Sequence, residues 1–143
     1  MATRLIDAAW WVVTTRAQAE YDARRALERQ RRKERAKRPV PSGIARSVRS
    51  QHCRVCGHPR TEVHHIVPRS HFRHPQRAGG VFSDGPTDPH VPENLMPLCH
   101  QHHQDHHTQG KDRRVPRHRL RPEEIEFVIM AKGHYWLDYW YPR

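Results

Sequence analysis

Cysteine is scarce in this sequence of 143 residues, apolar side chains are few, and acids fall well short of bases. Each shortage excludes something. Three cysteines, Cys53, Cys56 and Cys99, are an odd number, so a framework of disulfides would strand one thiol. All three are read as thiolates in a reducing compartment, which makes the cytoplasm the expected location. A hydrophobic share of 35% and a mean hydropathy of -1.02 leave little material for a large core, so the fold needs a staple. The apolar stretch Leu5 to Val13 is broken by Asp7, runs into Arg16 and is too short to span a bilayer. Neither a signal sequence nor a membrane anchor is expected from it. No internal repeat is present. Against 15 acids stand 26 Lys and Arg residues, a formal charge of +11. That excess points to a polyanionic partner, because each cation set on a phosphate releases condensed counterions. Nucleic acid is the first candidate and an anionic membrane surface the second.

What charge there is lies in the flanks. Residues 1–52 hold 13 bases and 5 acids, residues 53–108 hold 5 of each, and residues 109–143 hold 8 and 5. Residues 3–38 contain no Gly or Pro, and Glu20/Arg24, Glu28/Arg32 and Glu34/Arg38 each set an acid four residues before a base. This predicts a helix. Leu5, Ala9, Trp10, Val12 and Val13 give its first third something to pack, whereas "RQRRKERAKR" has no apolar face. That last part, with Arg31, Arg32, Lys33 and Arg35, is either a solvated arm or a phosphate-binding one. Pro39 ends the helix, and residues 39–51 read as a linker. Near the other end, Pro122, Glu123 and Glu124 suit a helix start, Ile125, Val128 and Ile129 form a stripe, and Gly133 is a plausible stop. The tail "HYWLDYWYPR" holds five of the eleven aromatics, as core padding or as a stacking platform for bases.

The neutral middle carries the chemistry. Cys53-x-x-Cys56 followed by Gly57 is a tight turn that presents two thiolates to one tetrahedral zinc, and Cys99-x-x-His102 repeats the spacing. Together they predict a closed Cys3His structural site, whose binding energy becomes folding energy. More histidines remain. In "EVHHIVP", residues 62–68, a short strand would turn His64 and His65 to opposite faces, one to bind a metal and the other to work beside it. If "CHQHHQDHH" is helical, His103 and His107 share a face, while His102 lies about 100° around from His103 and faces the staple. One short helix would then serve two metals. His52, His58, His71, His74, His90, His100, His106, His118 and His134 are read as surface or polar-network residues.

The order Cys-x-x-Cys, Glu-x-His-His-Ile-x-Pro, Asn-Leu-x-Pro-Leu-Cys-x-x-His-His resembles HNH endonucleases of the ββα-metal (His-Me finger) fold, in the zinc-stapled form common in bacteria and phages. The resemblance covers residues 52–108 and leaves both flanks outside it. It implies an α+β protein: a ββα-metal nuclease core with a structural Cys3His zinc site, flanked by a basic helical extension over 1–38, the linker, and a helix with aromatic tail over 109–143. By position, it makes His64 the first ligand of a catalytic metal, His65 the general base, Asn94 the brace of the loop carrying that base, His103 the last ligand and His107 an additional one. Arg69, just beyond the strand, is either a phosphate clamp or a solvated cation. Two departures stand out: the fourth zinc position, usually cysteine in this subfamily, is His102, and a long stretch separates His65 from Asn94.

The implied activity is hydrolysis of DNA phosphodiester bonds, by nicking or by cutting both strands, with RNA a second substrate class that phosphate contacts do not distinguish. Double-stranded DNA is the expected partner. A phage setting, with packaging proteins as further partners, is implied by resemblance alone. Three imidazoles favour zinc, nickel or manganese over magnesium in affinity, though affinity does not decide which divalent ion supports turnover. The rival reading is a zinc-stapled nucleic-acid-binding module without catalysis, which needs neither His65 nor Asn94.

Overall fold

The computed structural model describes residues 3–73, 80–108, 110 and 113–143, with side chains from residue 15 onward. His74 and the apolar side chains expected to pack near the start of the first helix lie outside the described residues. The chain runs α1 (Thr3–Lys37), α2 (Ser42–Arg49), β1 (Glu62–His65), α3 (Arg69–Arg73), β2 (Leu95–Leu98), α4 (His100–Thr108) and α5 (Pro122–Trp140). Short 3-10 turns at Pro92–Asn94 and Arg117–Arg119 precede β2 and α5. This is a mixed fold of helices around one small sheet, in which β1 and β2 pair antiparallel with Glu62 opposite Leu98, His64 opposite Met96 and His65 opposite Leu95. No described helix is long and apolar enough to cross a membrane.

Helix α1 forms where the uninterrupted, charge-paired stretch predicts it, but the pairs differ. Glu28 holds Arg32, whereas Glu20 takes Arg16 and Glu34 takes Gln30. The basic end also corrects an expectation. "RQRRKERAKR" was expected to lack any packing face, yet Ala36 is fully buried and α1 packs on α3. Arg32 turns inward with it, donating to the Ser83 carbonyl, and Arg35 donates to Thr87 Oγ1. Arg32 is therefore not a surface cation offered to phosphate. A small residue at position 36 lets the backbones approach, and a long arginine reaches past it to the unpaired carbonyl. Arg31 and Lys33 remain exposed.

A second correction falls in the stretch expected to be a linker. Residues 42–49 form α2, which packs against β1 and β2. Pro41 precedes the helix, and Ile44, Ala45 and Val48 share one face, with Val48 buried. Proline at its entry stops α1 and starts α2.

Helix α5 closes the core from the other side. Phe127, Val128, Ala131 and Leu137 are buried against Phe72, Val81, Val115 and Leu120, with Ile125 and Ile129 packed at the margin. Of the predicted stripe, Val128 lies in the buried face and Ile125 and Ile129 at its edge, and that face also includes a fully buried acid, Glu124. Arg54 forks onto both its oxygens at 3.0 and 3.1 Å, and the Arg121 backbone and side chain supply two more hydrogen bonds. A buried carboxylate is tolerated only with such pairing, and removing one partner costs about 3–5 kcal/mol. Because Arg54 sits between Cys53 and Cys56, this pair fastens the cysteine turn to α5. Gly133, the expected stop, has φ 79° and breaks the helical path without ending it. The chain turns there and carries Leu137 and Tyr141 into the core, alongside the partly buried Trp136 and Trp140. For these residues the tail is core padding.

Candidate active site and metal centres

Two clusters of metal-binding side chains emerge, one on each side of α4. Cys53, Cys56, Cys99 and His102 bring their ligand atoms within 4.8 Å of one another. Gly57, at φ 74°, allows the turn after Cys56 that folds its thiol back toward Cys53. The sulfurs of Cys56 and Cys99 lie 3.8 Å apart. That is too far for a disulfide and matches the edge of a tetrahedron about 3.8 Å long that follows from a Zn–S bond of about 2.3 Å. Burial opposes ionisation of Cys53, but the backbone amides of Cys99, Cys56 and Val55 surround its sulfur and bring the thiol down from 9.0 to about 6. Burial pushes the Cys99 thiol up. The donor set is what a structural zinc requires, with no fifth group to exchange.

The second cluster joins β1 to the opposite face of α4. His64, His103 and His107 gather their ligand atoms within 4.8 Å, and each pair of ring centroids is 5.1 Å apart. His103 and His107 are there because four residues span about one helical turn. His64 comes from the strand, buried, with Nε2 3.3 Å from the hydroxyl of Tyr141. Tyr141 has one proton, and it goes to the Ile66 carbonyl at 3.0 Å. So the tyrosine oxygen accepts from His64 Nε2–H, and His64 keeps its lone pair on Nδ1, a buried atom with no protein partner. A metal ion is the group that such an orphaned nitrogen, faced by two more imidazoles, would satisfy. Burial first, and then the neighbouring imidazoles, hold His64 and His107 below the ordinary histidine range, so both favour the neutral form that ligates.

Glu62 was not singled out from the sequence, yet it organises this cluster. Its Oε2 accepts from His103 Nδ1 at 2.6 Å and its Oε1 from His100 Nδ1 at 2.8 Å. His103 is thereby left with Nε2 free to ligate, the arrangement by which carboxylates orient metal-binding histidines. The available signal was period two: Glu62 and His64 share a face of β1. Replacing Glu62 with Gln should weaken binding of the second ion about 10- to 100-fold while leaving one zinc per chain in the cysteine cluster. Competition with a graded series of chelators measures this, and equal affinity in the variant would remove Glu62 from that role.

His65 points the other way, as strand alternation requires. It lines an open cleft of about 1100 Å³ together with Arg46, Arg49, Arg69, Glu62, His103 and His107. Burial, and after it the charges of His90 and Arg69, pull its pKa down to about 3, so the imidazole is neutral. Asn94 is fully buried behind it. Its Oδ1 accepts from the Val67 amide at 2.7 Å, and its Nδ2 donates to the carbonyls of Val67 and Pro89 at 3.1 and 2.9 Å. One side chain therefore ties the exit of β1 to the loop that returns toward β2. Arg69 is exposed at the rim. The exposed Arg46 and Arg49 belong to α2, which was not expected to be an element at all; Arg31, Lys33 and Arg35 do not line this cleft.

Of the histidines expected to play no ligand role, two are deeply built in. His106 is buried, its ring stacked on Tyr141, and it accepts the Val115 amide on Nδ1. Burial, then the charges of His107 and Arg114, take its pKa to about 4. His90 is buried and lies against His65, with His65 Nε2 and His90 Nδ1 3.2 Å apart.

No curated protein and no solved structure matches the chain. Residues 53–109 match the family model described as HNH endonuclease, which spans both clusters, the cleft histidine and Asn94. With the paired strands and the helix between the two clusters, this match makes the central segment of the chain similar to HNH endonucleases.

Proposed function

We propose that the protein is a metal-dependent endonuclease that hydrolyses DNA phosphodiester bonds, with His65 as general base and His64, His103 and His107 as ligands of the catalytic ion. The reading gives residues 62–108 the role of a ββα-metal core. The observation that carries it is the placement of a neutral imidazole, His65, in a basic cleft alongside His103 and His107, with Asn94 bracing the loop beneath it. A module that only binds nucleic acid needs neither the base nor its brace.

His65 takes the proton from water as it attacks phosphorus, and its lowered pKa keeps it ready to accept at neutral pH. Arg46, Arg49 and Arg69 line the approach and hold the phosphate backbone by charge, contacts that position DNA without reading its sequence. His64, His103 and His107 would hold a divalent ion, which when bound would supply Lewis acidity toward the phosphate and the departing oxygen. Magnesium, manganese, nickel and zinc are the candidates, and cleavage leaves a 5'-phosphate and a 3'-hydroxyl. Cys53, Cys56, Cys99 and His102 hold a separate zinc that maintains the fold and takes no part in the chemistry.

The test is cleavage of supercoiled plasmid by protein stripped of metal and then given each ion in turn. Nicked or linear product with at least one ion, and none without, is expected. Binding without cleavage under every ion would favour the non-catalytic module.

A further inference from the structure

Beyond Arg69, the long stretch between His65 and Asn94 has no role in the proposed chemistry so far, yet its last residues deliver a buried histidine to the base. His90 arrives on a rigid corner: its amide donates to Asp88 Oδ1 at 2.8 Å, and the carbonyl of Pro89 is held by Asn94 Nδ2 at 2.9 Å. The two rings meet edge to face, centroids 5.3 Å apart, with His65 Nε2 3.2 Å from His90 Nδ1. Asn94 thus anchors both partners, His65 through Val67 and His90 through Pro89.

A hydrogen bond between these two ring nitrogens holds one proton, and its owner decides what His65 can do. If His90 donates, His65 carries its own proton on Nδ1 and presents a donor to the cleft. If His65 donates from Nε2, its Nδ1 keeps a lone pair, and Nδ1 is the nitrogen left for a water molecule in the cleft. We infer, granting the hydrolytic role given to His65 above, that His90 is a positioning residue that accepts from His65 Nε2–H and so fixes the tautomer in which His65 Nδ1 can take a proton. In that arrangement His90 carries its own proton on Nε2. When His65 becomes an imidazolium, the same bond is charge-assisted and holds the ring in place. The end of the inserted stretch then has a use: its His90 supplies the orienting group of the base.

The experiment compares the full-length, zinc-loaded protein with His90→Ala, His90→Phe, which fills the ring's volume without an acceptor, and His90→Asn, whose carbonyl oxygen replaces the Nδ1 acceptor. Two readouts are taken: steady-state plasmid cleavage, and the ring nitrogen shifts of His65 in long-range 1H–15N spectra. Expected are an Nε2–H tautomer in wild type, a mixture of tautomers in His90→Ala and His90→Phe, and recovery of the Nε2–H form in His90→Asn. Turnover should fall about 10- to 100-fold in the first two with KM changed less than about twofold, and should recover in His90→Asn. Wild type protonated on Nδ1, or acceptor-free variants that keep both the tautomer and the rate, would overturn the assignment. If wild type fails to cleave under every ion tried, the endonuclease reading fails separately, and the tautomer spectra alone decide the role of His90. Should His90→Ala fail to retain its zinc, His90→Phe carries the comparison.

Discussion

His65→Ala is expected to lose cleavage by about 10²- to 10⁴-fold, the span that a positioned general base contributes. The protein should otherwise survive the change. His65 is only partly buried, it meets the side chain of His90, and neither metal cluster among the described residues includes it. Affinity for DNA should stay close to wild type because Arg46, Arg49 and Arg69 are untouched. The measurement is plasmid cleavage beside a binding titration and a metal assay on the same preparation. Loss of cutting with DNA binding and zinc retained separates the base from a structural histidine. A variant that still cuts near the wild-type rate would move the proton acceptor elsewhere in the cleft.

Cys56→Ser should act through the opposite route. The side chain is exposed and its sulfur lies 3.8 Å from that of Cys99, so the substitution disturbs packing little and removes one donor from the tetrahedral set. Zinc held by four such donors contributes about 10–16 kcal/mol in small domains, more than or comparable to the about 5–15 kcal/mol of net stability a domain has. The variant should lose its zinc and its cooperative thermal transition, and with them cleavage. A zinc-loaded variant melting near wild type would show that the cysteine cluster is not what holds the core together. The contrast is diagnostic: one substitution removes activity from an intact fold, and the other removes the fold.

Local spacing made much of the site legible. Cys53-x-x-Cys56 and Cys99-x-x-His102 each lie within four residues, and the helical pair His103/His107 within five, so backbone geometry alone brings them together. What the chain closes over distance was not legible. Glu62 reaches His103 across 41 residues, His90 reaches His65 across 25, and Tyr141 reaches His64 across 77. No periodicity announces such pairs. Strand β2 escaped because "LMPL" is buried on both faces and contains a proline, which removes the alternation that marks a strand. Helix α2 escaped because Pro39, Pro41, Ser42 and Gly43 crowd its start, and punctuation of that density reads as a connection. Arg32 was misplaced since charge alone does not distinguish a guanidinium facing solvent from one paired with a buried carbonyl.

The bond from His64 to Tyr141 also sets an order of events during synthesis. A ribosome has to translate 77 residues beyond the histidine before the tyrosine that fixes its ring exists. Until then the nascent chain carries the imidazole with either nitrogen protonated, and β1 lacks the hydroxyl that reaches the Ile66 carbonyl. The growing polypeptide therefore carries an unfinished centre until the end of α5 has emerged and docked.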